Sequence, residues 1–66
     1  MYNRIEQAVE KYGEVMIRTE SGHEAELHQH NSEFIEEDKI IKIDADDKVH
    51  WLDAESIERY WIHYDF

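Results

Sequence analysis

The chain has no cysteine and no proline, only two glycines among its 66 residues, and seven lysines and arginines against 17 aspartates and glutamates. Without thiols there is no disulfide staple, no thiolate zinc site and no thiol nucleophile. A small domain must then hold itself together by packing or by association with copies of itself. A net charge of −10 at neutral pH sets the chain against nucleic-acid phosphates and anionic lipid, which bind through Lys and Arg displacing counterions. Nucleic acid is therefore a disfavoured partner and a basic protein a favoured one. No apolar run approaches the roughly 20 residues needed to cross a bilayer, and no basic stretch followed by an apolar one opens the sequence. The expectation is a cytoplasmic protein without membrane association.

What is present argues for a fold. Two Trp, four Tyr, two Phe and a supply of Ile and Val set the chain apart from disordered acidic tails, which lack the apolar side chains to offset ordering entropy. Residues 1–66 are read as a single domain. A chain this short buries only about 60% of the surface exposed when unfolded, so a core and a large cleft compete for the same apolar side chains. No sizeable catalytic pocket is expected.

Tyr2, Ile5, Val9 and Tyr12 fall at spacings of three, four and three, which lines them along one stripe of a helix over residues 4–12. Asn3 with Glu6 forms a capping-box pattern, and Gly13 suits the left-handed closing position. The period then changes to two. Val15, Ile17 and Thr19 alternate with Met16, Arg18 and Glu20, Ser21-Gly22 supplies a turn, and a second strand follows with Ala25, Leu27 and Gln29 facing inward. Asn31-Ser32 marks a bend, Phe34-Ile35 returns apolar side chains to the core, and Glu36-Glu37-Asp38 is a solvated loop. Further strands are predicted over 39–44 and 48–52, separated by an Asp46-Asp47 turn. The stretch after Asp53 fits an amphipathic helix capped by that residue or, as the β-branched and aromatic run Tyr60-Trp61-Ile62-His63-Tyr64 favours, a 3₁₀ turn and a strand over 57–64.

This order of helix, glycine-turned hairpin, two strands, one-turn 3₁₀ element and last strand resembles the Sm-like and bacterial Hfq small barrels. The local likeness runs through VMIRTESGHEAELHQHNSEFI, from Val15 to Ile35, which resembles the first Sm motif, with turn glycine Gly22, Leu27, and Asn31 where the family usually carries Asp. KVHWLDAESIERYWI resembles, by pattern alone, the strand, helical turn and strand near the end of SH3-like and Sm-like barrels. The first turn is a residue shorter than the family's. The resemblance implies a mainly β fold, an N-terminal helix followed by a strongly bent five-stranded antiparallel barrel, and ring formation through its fourth and fifth strands. Hfq's last loop holds uridine-rich RNA with a Lys-His pair, but Leu52 and Asp53 stand in the comparable stretch here, so no RNA-binding residue carries over.

Some constellations could carry chemistry. His28 and His30 lie two apart with Glu26 beside them, so on a strand they share a face, and imidazole with carboxylate suits zinc, nickel or copper. A complete site needs a further ligand, from His23, His50 or His63, and the ordinary reading is solvated side chains; no metal or other cofactor is assigned. Asp44, Asp46 and Asp47 resemble the start of a calcium loop, and Glu55 stands at its twelfth position, but the sixth, which needs glycine, holds Val49, and turn acidity explains them better. No nucleophile is placed beside a base, which argues against an enzyme. Trp51, Tyr60, Trp61 and Tyr64 concentrate aromatic surface late in the chain and are the candidate interface residues.

The function expected is a non-enzymatic protein-interaction module that binds a protein partner, a basic one by charge, or further copies of itself. The alternatives are an acidic mimic that regulates a nucleic-acid-binding protein, and a metal-binding or RNA-binding Sm-like protein. Carboxylates gathered on one face would favour the mimic.

Overall fold

A computed structural model describes residues 1–63. The chain forms helix α1 (Tyr2–Tyr12), strands β1 (Glu14–Thr19), β2 (Glu24–His28), β3 (Ser32–Ile35), β4 (Ile40–Asp44) and β5 (Val49–Asp53), a 3₁₀ turn (Ala54–Ser56) and β6 (Ile57–Trp61). The strands make two antiparallel three-stranded sheets, ordered β2-β1-β6 and β3-β4-β5. The mainly β character, the N-terminal helix and the 3₁₀ turn before the last strand agree with the sequence reading. The five-stranded barrel does not: there are six strands among the described residues, and the two sheets do not close on one another.

The additional strand is β3, where the sequence shows only Phe34-Ile35 as an apolar return. Asn31 accounts for its separation from β2. Its Oδ1 accepts the N–H of His28 at 2.8 Å and the hydroxyl of Ser32 at 2.7 Å, which ends one strand and begins the next within a single turn. Ser32 to Ile35 then pair with Ile43 to Ile40 of β4. Gln29, expected to face inward on β2, lies in this turn. Its side-chain amide donates to the carbonyls of Val9 and Glu10 at 3.2 and 3.1 Å, tying the turn to the end of α1.

The helix begins earlier than its capping box suggests. Met1 is the cap position, no side chain caps the first turn, and Asn3 lies exposed within it. The earlier start buries Tyr2 in the core. Full burial of a large apolar side chain is worth roughly 1.5–3 kcal/mol, more than the ~1 kcal/mol of a capping bond, so packing decides the boundary. The other end is as read: Gly13 is left-handed at φ 81° and its N–H donates to the carbonyl of Val9 at 2.8 Å.

The core is formed where α1 (Tyr2, Ile5, Ala8, Val9) meets the inward residues of both sheets, among them Val15, Ile17, Leu27, Ile41 and Ile43. Pairing between β1 and β6 shifts after Arg18↔Arg59, so that Thr19 faces Ile57 and Glu58 is the extra residue of a bulge. The bulge returns Ile57 to the core, where it is buried beside Ala54. The strand replaces the alternative helix over this stretch but ends at Trp61; Ile62 and His63 follow outside it, and Tyr64 lies outside the described residues.

Candidate interaction groove

Among the described residues, each sheet leaves strand edges without a partner. The edge of β2 in the first sheet and that of β5 in the second flank a groove of about 700 Å³. The sequence predicts no sizeable catalytic pocket in so short a chain, yet an open groove is present. The core explains the difference, because α1 fills the space between the sheets on its own side and the other side stays open.

The groove's accessible apolar lining comes from Ala25 of β2 and Leu52 of β5, above Ile17 and Ile43, which are buried in the core. Its acidic lining comes from Glu20, Glu24, Glu26 and Asp44, and no lysine or arginine takes part. His23 and His50 also line it. The β1–β2 turn at one end is held rigid. Thr19, itself buried, shares a hydroxyl contact with Ser21 at 3.0 Å and accepts the N–H of His23 at 3.2 Å, while Gly22 takes a left-handed φ of 92°.

The serine hydroxyls at the groove are occupied in structure: that of Ser21 by Thr19, and that of Ser56 by donation to the carbonyl of Asp53 at 2.6 Å. Only two carboxylates among the described residues are paired, Glu24 with Arg18 at 3.0 Å and Glu26 with His28 at 2.5 Å. Both pairs lie on the outer face of the first sheet, and both are exposed enough for water to screen them heavily.

The candidate interface residues are divided. Trp51 is 64% exposed on β5 and flanks the groove. Tyr60 is 37% exposed on β6, in the other sheet. Trp61 is half-buried, with the guanidinium of Arg59 stacked 4.8 Å from its ring, and Tyr64 is outside the described residues. Among the described residues, Trp51 therefore lies in one sheet and Tyr60 and Trp61 in the other.

The metal candidates are rearranged as well. Glu26 and His28 share the outer face of β2, as their spacing indicates, but His30 lies beyond the strand end and stacks on His28 with ring centroids 5.2 Å apart. The third group brought to them is Glu14, which β1 sets directly opposite His28. Sequence spacing within one strand had no means of finding it. His23 and His50 lie at the groove and His63 is exposed near the chain end.

Carboxylates occur on α1 (Glu6, Glu10), on β2, in the β3–β4 turn (Glu36, Glu37, Asp38), in the β4–β5 turn (Asp46, Asp47) and on β6 (Glu58), so acidity is spread over several sides. No family model, no curated protein and no solved structure matches the chain.

Proposed function

We propose that the protein is a non-enzymatic interaction module whose groove receives an extended, basic segment of a protein partner. The observation that carries this reading is the groove itself, with its apolar floor, carboxylate rim and unpaired β2 edge. An added strand would take its backbone hydrogen bonds from β2. Its alternate side chains would fall opposite Ala25 on the inner face and opposite Glu24 and Glu26 on the outer face, so apolar and cationic residues in alternation suit it. The engaged serine hydroxyls support a binding role over nucleophilic chemistry.

Self-association through the same β2 edge brings two carboxylate rims together and is disfavoured by charge. The scatter of carboxylates weighs against a mimic of nucleic acid, which needs them on one face. A peptide of alternating valine and lysine, titrated calorimetrically against its valine–glutamate counterpart, tests the proposal. The lysine peptide is expected to bind, more weakly at higher salt, and Glu24→Lys with Glu26→Lys to abolish binding. Equal binding of both peptides, or of neither, contradicts it.

A further inference from the structure

On the outer face of the first sheet, three ligating side chains converge from two strands. The two-residue period of β2 sets Glu26 and His28 on one face, and the antiparallel register sets Glu14 of β1 directly across from His28. One carboxylate oxygen from each glutamate and one ring nitrogen of His28 all lie within 4.8 Å of one another. We propose that Glu14, Glu26 and His28 form a binding site for a divalent transition ion, with Zn²⁺ the best match.

The donor set chooses the metal. One imidazole with two carboxylates suits Zn²⁺ and its borderline neighbours, whereas Ca²⁺ asks for six to eight oxygens and Mg²⁺ for a near-octahedral oxygen shell. Tetrahedral ligands at bond lengths of about 2.0–2.1 Å stand roughly 3.3 Å apart, so the spread here has to contract by about 1.5 Å at most. Glu26 is exposed and Glu14 half-buried, which leaves both carboxylates room to turn.

His28 is the anchored ligand. Its backbone N–H is held by Asn31, its Nε2 already faces Oε1 of Glu26 at 2.5 Å, and its ring is braced by the stacked ring of His30. Three protein ligands leave the fourth position to water. The site lies on the outer face of the sheet and not on the groove floor, so it does not depend on the proposed function. It shares only Glu26 with the groove rim.

Titration of the full chain with Co²⁺, read by its visible d–d absorption, followed by displacement with Zn²⁺, tests the assignment. One ion per chain is expected, with the intense bands of four-coordinate Co²⁺ that Zn²⁺ abolishes, and with affinity falling in acid as protons compete for the ligands. His28→Ala, Glu14→Gln and Glu26→Gln should each weaken binding by about tenfold or more, while His63→Ala leaves it unchanged. Circular dichroism of each variant separates ligand loss from unfolding. Absence of a one-to-one complex, or binding that survives His28→Ala in a folded variant, overturns the proposal.

Discussion

The ring of Tyr2 meets that of Phe34 edge-on, with centroids 5.6 Å apart and planes at 74°, and this contact joins the first turn of the helix to the second sheet. The Tyr2 hydroxyl is buried without a hydrogen-bond partner among the described residues. A buried donor left unpaired costs about 1–3 kcal/mol, whereas the ring contact and its burial are favourable. Tyr2→Phe keeps the ring and removes the orphaned hydroxyl, so urea unfolding should show stability unchanged or raised by up to about 1 kcal/mol. Tyr2→Ala should lose about 3 kcal/mol.

The same residue sets an alkaline limit. Burial first, and then the nearby charges of Glu6 and Glu36, raise the Tyr2 phenol above its ordinary value of 10.0. In the unfolded chain that phenol ionises near its ordinary value, while in the folded one it stays protonated to higher pH. The stability it contributes is complete below pH 10 and is lost as pH rises from there through the folded-state value. Denaturation midpoints measured from pH 9 to 11.5 should fall in that window, and Tyr2→Phe should flatten the fall.

Lys39 is the one non-glycine residue with a left-handed backbone among the described residues, at φ 56°, and its ammonium lies 5.0 Å from the centre of the Tyr2 ring. The conformation costs roughly 1–2 kcal/mol and the cation–π contact of half-buried Lys39 returns about 1 kcal/mol. Lys39→Gly removes both terms and should change unfolding free energy by less than about 1 kcal/mol. Lys39→Val retains the strain with a β-branched side chain, loses the cation, and should cost more than 1 kcal/mol.

Gln29 fastens the β2–β3 turn to the helix end through two donated hydrogen bonds. Gln29→Ala should cost about 1 kcal/mol and speed amide exchange in that turn, while leaving the β1–β2 ladder protected. Equal loss of protection across both sheets would contradict a local role.

Features fixed by near neighbours in the chain were legible in the sequence. The 3.6-residue stripe through Tyr2, Ile5 and Val9, the closing Gly13, the Ser21-Gly22 turn and the 3₁₀ turn after Asp53 all arise from local chemistry, the last with Asp53 accepting the N–H of Glu55 at 2.9 Å, while Tyr12, read as part of that stripe, is 50% exposed. Apart from the β1–β2 hairpin, features fixed by pairing were not. β3 offers only two apolar residues between glutamates and is a strand because β4 pairs with it. Glu14 joins Glu26 and His28 through register, and the groove exists because two edges stay apart, which no spacing along one segment encodes.

On the function proposed above, the open side between the sheets receives a basic strand along β2. Backbone amide shifts of isotopically labelled protein, followed during titration with the valine–lysine peptide, test it most directly. Movement is expected to concentrate at Glu24, Ala25 and Glu26 and at the facing residues Ile43, His50 and Leu52, with β6 unmoved. Saturable shifts centred on β6, or no saturable shifts at all, would contradict it.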